Sequence, residues 1–261
     1  MHHYILLSVL QLLAESLPVS SSGHLVLLKD LLVQFNPEGY YFYLSNSMEA
    51  WIHLLHVPTA LCLAWFFRGT WWPLVRYVPR WYRLVIKLVW FTLAADFVTA
   101  LFFLVSKRSD WFAMPLYIGF FITMCCLFSL IWCHKKDGQF NVRSAVIIGT
   151  VQGVALLPGV SRCATTFVAA RWLGFAPRHA FAIAWMVQVP LVLGASLKSL
   201  IFFKANMAAL PVIDFWFVIV LMVATLGAYA LLVFAYRMAL ARRWWLFGWY
   251  MLVPLICSLI L

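Results

Sequence analysis

Runs of apolar residues long enough to cross a bilayer recur along the chain, at Met48 to Phe67, Leu84 to Val105, Trp111 to Trp132, His179 to Phe203, Ile213 to Tyr236 and Trp244 to Leu261. About 20 helical residues span the hydrocarbon core, so each run predicts one transmembrane helix. Two further apolar stretches are broken by polar residues. Tyr4 to Gln34 is interrupted by Glu15-Ser16-Leu17-Pro18-Val19-Ser20-Ser21-Ser22-Gly23-His24, and Ser144 to Phe175 by Pro158-Gly159-Val160-Ser161-Arg162. No half of either stretch is long enough to cross alone. Pro and Gly among polar residues are tolerated at membrane depth only where the backbone is buried in protein or lines a wet cavity. Each stretch therefore predicts a re-entrant helical hairpin, over about 4–34 and 144–175, with a kinked span as the alternative.

The expected fold is an all-α polytopic membrane protein in a single membrane domain over 1–261, with about six transmembrane helices and two re-entrant hairpins in an inverted repeat. Gln11 precedes Ser20 by the same interval as Gln152 precedes Ser161, and each serine follows a valine, Val19 or Val160. Repeats of this kind place a binding site where their broken helices meet.

Composition agrees with a membrane protein and narrows the partners. The chain is 66% hydrophobic and only 10% charged, too little charge for a water-facing surface. Its net charge of +11 comes from Lys and Arg placed between apolar runs, not along one basic stripe, which argues against a nucleic-acid partner. One set of loops holds Arg68, Arg76, Arg80, Arg83, Lys135, Lys136, Arg143, Arg171, Arg178, Arg237, Arg242 and Arg243. The other holds Lys29, Lys107, Arg108 and Lys204, with Lys198 near it, offset by Asp30, Glu38, Asp110 and Asp214. By the positive-inside rule the first set is cytoplasmic, both termini lie outside, and the hairpins face each other across the midplane. Tyr40, Tyr41, Tyr43, Trp71, Trp72, Trp81, Tyr82, Trp244 and Trp245 are expected at headgroup depth. The cysteines form no disulfide or metal spacing, and no cleavable signal is predicted.

The hairpins carry parts suited to phosphate chemistry. Ser20, Ser21 and Ser22 can cap one helix and Ser161 another, so two helix N-termini would converge with unpaired N–H groups and positive dipole ends. These small residues also suit plain helix packing. Arg162 is costly inside a membrane, by about 2.5–3.5 kcal/mol on insertion scales, and should face a cavity with an anionic partner. Its planar fork matches phosphate oxygens. Glu15 and His24 add a carboxylate and a group that titrates near neutral pH. A structural salt-bridged trio of Glu15, His24 and Arg162 is the competing reading. His53 and His56 would share a helix face without a third zinc ligand, Glu49 would be interfacial, and Asp96 would hydrogen-bond within the bundle.

These motifs resemble those of the undecaprenyl-diphosphatase (bacitracin-resistance) family. Gln11 and Glu15 followed by Leu17 to His24 are similar to its first signature, and Pro158 to Arg162 with Thr166 to its second. Gln152, Glu49 with His53, and the stretch from Leu173 to Pro190 fit as well. The resemblance implies an enzyme of the bacterial inner membrane that removes the terminal phosphate of undecaprenyl diphosphate, recycling the carrier lipid for peptidoglycan. It implies a divalent cation, Mg²⁺ or Ca²⁺, with Glu15 and Gln11 as candidate ligands, and a site opening toward the periplasm. The catalytic residues it implies are Ser21, His24, Glu15 and Arg162. Its substrate-binding residues are Ser20, Ser22, Gly23, Gly159, Ser161, Thr166 and Gln152. The partner is the undecaprenyl diphosphate lipid in the membrane, and a homodimer is one possible assembly.

Two departures stand out. Gln11 occupies a position where many relatives carry a second Glu, and Cys163-Ala164 replaces the usual Ser-Gly after the arginine. A type-2 phosphatidic acid phosphatase would need a histidine six residues past the arginine, where Val168 stands. An inverted-repeat transporter or lipid flippase without hydrolysis is the remaining alternative.

Overall fold

The computed structural model describes residues 2–35, 45–69, 76, 78–106, 114–133, 137–207, 210–211 and 213–261. The aromatic residues expected at headgroup depth from Tyr40 to Tyr43 and at Trp71 and Trp72, and the loop charges Glu38, Lys107, Arg108, Asp110, Lys135 and Lys136, lie outside them.

The described chain is helical throughout, with no strand among the described residues. The first broken stretch forms α1 (His2–Glu15) and α2 (Ser21–Phe35), the second α7 (Val142–Val154) and α8 (Arg162–Trp172). Between them run α3 (Asn46–Leu54), α4 (His56–Phe66), α5 (Val78–Ser106) and α6 (Leu116–Ser129), the last extended by a 3₁₀ turn at Leu130–Trp132. After α8 come α9 (Pro177–Met186), α10 (Val189–Ala205), α11 (Phe215–Leu240), α12 (Leu246–Tyr250) and α13 (Leu252–Ile260). Side-chain caps fix several starts: Ser45 accepts from Met48 N at 3.2 Å, Asn141 from Ser144 N at 2.9 Å and Asp214 from Phe217 N at 2.7 Å.

Three stretches are long and apolar enough to cross a membrane by length and composition: Ile86–Leu104, Pro177–Ala205 and Phe215–Leu240. Large apolar side chains cover their outer surface, with Trp90 68%, Ile201 63% and Leu226 71% exposed. Apolar surface of that extent suits lipid, not water.

Three expected continuous spans are instead broken helices. The run Met48 to Phe67 breaks at Leu55, His179 to Phe203 at Val187 and Gln188, and Trp244 to Leu261 at Met251. One cause serves all three. The preceding helices end at Leu54, Met186 and Tyr250, each four residues before a proline, Pro58, Pro190 or Pro254. A proline donates no bond to the carbonyl four residues back, and its ring presses on that carbonyl. Trp244, expected at headgroup depth, faces protein. It is buried, donates from Nε1 to Ala235 O at 2.8 Å and packs on Phe167 and Phe181.

The order hairpin, broken helix, long helix, last helix occurs twice, as α1 to α6 and as α7 to α13. Packing follows the same rule. The first helix of each hairpin lies against the long helix of the other half, α1 on α11 and α7 on α5, while α3 meets α10 and α6 meets α12 and α13. The interior this creates is lined by small residues and aromatics, among them Ala95, Ala164, Ala184, Phe120, Phe167 and Phe181.

Candidate active site

The turn after α1 runs through Pro18 and Val19 to Ser20, whose φ of +64° is left-handed, a conformation that costs a non-glycine residue about 1–2 kcal/mol. Ser20 Oγ then accepts from Gly23 N at 3.3 Å and starts α2. In the second hairpin Gly159 takes the left-handed φ of +81°, and Ser161 caps α8 by accepting from Ala164 N at 3.3 Å. These two turns meet. A Cβ placed on Gly23 would lie 2.9 Å from the Cα of Gly159, so the hairpin tips touch through glycine backbone.

Helix α6 clamps the junction. Thr123 Oγ1 accepts from Ser161 N at 2.9 Å and faces the carbonyls of Gly119 and Gly159 at 3.0 and 3.1 Å. Phe120 packs edge-on to the His24 ring, with centroids 5.6 Å apart. A Cβ on Gly119 would sit 1.9 Å from Pro158 O, so α6 and the second hairpin are in backbone contact.

Four of the predicted residues mark this junction: Gly23 and Gly159 at the contact, Ser161 at the cap, and Arg162 as the first residue of α8. Ser21 is half-buried in the first turn of α2, Ser22 is exposed, and Thr166 is buried along α8. Among the described residues no protein group hydrogen-bonds to the Ser21 hydroxyl or the Arg162 guanidinium, and no carboxylate pairs with Arg162 within 4.0 Å. Glu15 is nevertheless close enough for the two charges to act on each other.

His24 is buried and its tautomer is fixed. Nδ1 lies 2.8 Å from Ser20 O, and a carbonyl only accepts, so Nδ1 carries the proton. Nε2 is then the basic end and accepts from the Tyr250 hydroxyl at 3.0 Å, with the two rings stacked at 5.7 Å and 7°. Tyr250→Phe keeps the stack and frees Nε2. It is expected to keep kcat/KM within about tenfold of the parent, whereas His24→Gln should lose about 10²–10⁴-fold, the range for a general acid–base group.

Glu15 turns the other way, to the α3–α4 break. His56 Nδ1 is 2.6 Å from its Oε1, while Oε2 accepts from Thr59 Oγ1 at 2.9 Å and Gln11 Nε2 at 3.2 Å. The salt-bridged trio, the competing reading of the sequence, does not form: Glu15 pairs with His56, and His24 pairs with Tyr250. A cavity beside Glu15, with about 10 Å³ of space, is lined by Thr59, Leu63, Trp185, Gln188 and Val192. That space admits about one water, and Gln188 Oε1 and Trp185 Nε1 are buried there without protein partners. Gln152 faces elsewhere, toward α5 and the α9–α10 break. His53 and His56 sit on separate helices across the first break, centroids 5.8 Å apart.

Sequence reading missed His56 as the partner of Glu15, and with it Thr59, Gln188 and Tyr250. The available signal was a polar residue beside each lone proline in an apolar run: His56 and Thr59 around Pro58, Gln188 before Pro190, Tyr250 before Pro254.

The all-helical fold, with stretches long and apolar enough to cross a bilayer, defines a polytopic membrane protein. The chain is a member of the family described as bacitracin resistance protein BacA, which it matches over residues 4–256. It is 34% identical over 209 residues to undecaprenyl-diphosphatase 1 of Bacillus licheniformis, covering 76% of this chain and 74% of that protein. It is also 28% identical over 263 residues to the undecaprenyl-diphosphatase of Thermotoga petrophila, covering 97% and 98%. The undecaprenyl-diphosphatase of Methanococcus maripaludis is 27% identical over 257 residues, with 94% of each chain covered.

Proposed function

We propose that this chain is a membrane-embedded undecaprenyl-diphosphatase, cleaving undecaprenyl diphosphate to undecaprenyl phosphate and inorganic phosphate so that the carrier lipid re-enters cell-wall synthesis. The observation that carries the reading is the contact of the two hairpin tips, Gly23 against Gly159, with the unpaired guanidinium of Arg162 three residues beyond it. Two helix N-termini and a fork of N–H donors suit a diphosphate, and among the described residues no anionic side chain pairs with the arginine.

In the mechanism Arg162 and the N-terminal amides of α2 and α8 hold the terminal phosphoryl group and take up charge developing on its oxygens. The Ser21 hydroxyl attacks that phosphorus, the bond to the bridging oxygen breaks, and undecaprenyl phosphate leaves. Water then hydrolyses the phosphoserine. Ser21 is preferred to Ser161, whose hydroxyl oxygen is buried and engaged as the α8 cap. His24 Nε2 receives the serine proton once Tyr250 gives up its bond, and Glu15, braced by His56, orders the groups around it. Gln11 Nε2 faces the Glu15 carboxylate and Gln11 Oε1 is buried without a partner among the described residues, so with the amide turned about Glu15 and Gln11 would be the groups to hold a Mg²⁺ or Ca²⁺ ion. Such an ion would offset the negative charge of the diphosphate. The isoprenoid tail passes between helices into the bilayer.

Basic loops support a plasma-membrane orientation with both termini and the site opening outside, and the repeated order of elements supports an inverted repeat with re-entrant hairpins. The test is phosphate release by purified protein in detergent from undecaprenyl diphosphate labelled in its terminal phosphate. A transporter of the same fold releases none. On acid quench the parent should retain label on protein, and Ser21→Ala should retain none. Label persisting in Ser21→Ala excludes Ser21 as nucleophile.

A further inference from the structure

The polar cluster of the first half has a counterpart in the second. In the first, Gln11 of α1 meets a carboxylate, Glu15, and His56 at the α3–α4 break. In the second, the Gln152 amide of α7 donates to Val187 O at the α9–α10 break, 3.0 Å away, and reaches a carboxylate oxygen, Asp96 Oδ1, at 3.4 Å. The two glutamines hold matching places before the hairpin serines. Each cluster therefore joins a glutamine, a carboxyl group and a proline break, the second taking its carboxyl group from α5 of the first half.

The clusters differ in charge balance. Glu15 has His56, Thr59, Gln11 and the nearby Arg162 charge. Asp96 lies near the middle of the Ile86–Leu104 span, and its Oδ2 is buried without a partner among the described residues, as is Oε1 of Gln152, itself 1% exposed. Among the described residues no charged side chain pairs with it. The only one on α7 is Arg143, exposed and nine residues before Gln152; α9 carries Arg178 and His179 at the end away from Val187; and Lys87 on α5 itself is exposed. A bare carboxylate at this depth is strongly disfavoured, and Asp96 Oδ2, Gln152 Oε1 and Val187 O fall short of the roughly six oxygens a hard cation takes. A proton on Oδ2 resolves both orphaned oxygens at once. A carboxylic acid facing an amide forms two hydrogen bonds, here Nε2–H to Oδ1 and Oδ2–H to Oε1.

We infer that Asp96 is a proton-binding site inside the bilayer, with Gln152 as the group that reads its protonation and passes it to the α9–α10 break. Loss of the proton removes one of the two bonds and puts a charge beside the amide that holds Val187. The next residue, Gln188, lines the cavity beside Glu15. The cluster is thus a proton-responsive link to the first hairpin, and its existence does not depend on the phosphatase reading.

Infrared titration of the purified protein carrying isotope-labelled aspartate tests it. The expected result is a protonated-aspartate carbonyl band that persists well above the solution pKa of about 3.9, disappears at alkaline pH, and is absent from Asp96→Asn, in which an amide pair can keep the helices together. No such band in the parent at neutral pH, the same band in Asp96→Asn, or its loss on adding sodium at fixed pH overturns the inference. Should Asp96→Asn fail to fold, Gln152→Ala must move the band toward that of a free acid; an unmoved band overturns the inference equally.

Discussion

Arg162→Met is expected to melt no lower than the parent while releasing phosphate about 10³-fold more slowly, the scale on which an arginine that stabilises a phosphoryl-transfer transition state acts. Both halves of that result follow from one observation. Among the described residues the guanidinium has no hydrogen-bond acceptor and no ion pair, although it lies, partly buried, at the start of a helix among buried residues. A cation without a hydrogen-bonded partner at membrane depth costs about 2.5–3.5 kcal/mol, which the more distant Glu15 charge offsets only in part, and its position at a helix N-terminus adds unfavourable interaction with the positive end of the dipole. Removing it relieves those costs. A structural arginine behaves oppositely, because losing one partner of a buried pair leaves the other uncompensated. Arg162→Lys separates charge from geometry. It keeps the positive charge, loses the two-pronged fork and is expected between parent and Met variant in kcat/KM. Melting curves with and without inorganic pyrophosphate complete the measurement: the parent should gain stability from the ligand and Arg162→Met should gain little. A large drop in melting temperature for Arg162→Met would falsify the assignment of Arg162 as an anion-binding residue.

The breaks after Glu15 and after Val154 were legible in sequence because proline arrived there with company. Pro18 stands among Glu15, four serines and His24, and Pro158 beside Gly159, Ser161 and Arg162, so polarity and backbone signal coincided. The breaks at Leu55, Val187 and Met251 rest on the same chemistry but announce themselves by a single proline inside an apolar run. Kinked transmembrane helices commonly carry such prolines, so length and hydropathy alone read these runs as continuous. What a linear reading could not supply was direction. Glu15 and His24 are nine residues apart in one motif, and the left-handed turn at Ser20 sends their side chains to different neighbours, His56 and Tyr250. Those neighbours come from proline breaks far along the chain, which is why the missed breaks and the missed partners are one omission.

Gly119→Ala is expected to lose about 10²-fold in phosphate release, the effect of misplacing reacting groups by about 1 Å, without altering any group that touches the phosphate. Its methyl group would lie 1.9 Å from Pro158 O and 2.8 Å from Gly159 Cα, distances only backbone movement can relieve. Overpacking of this kind costs about 1–3 kcal/mol, so the melting temperature should fall as well. The movement has a defined path. Separating α6 from the second hairpin strains the Thr123 contacts with Ser161 N and Gly159 O, and these set the cap from which Arg162 projects. Gly159 is also the residue that Gly23 touches, so the first hairpin loses its seat at the same time. Gly194→Ala on α10 is the matched control, because nothing lies within 4 Å of its added methyl group. There the change removes a flexible residue from a helix and should leave activity unchanged, with stability equal or higher. If Gly119→Ala matched Gly194→Ala in both melting and phosphate release, the close junction of α6 with the two hairpin tips could not be what positions the catalytic groups.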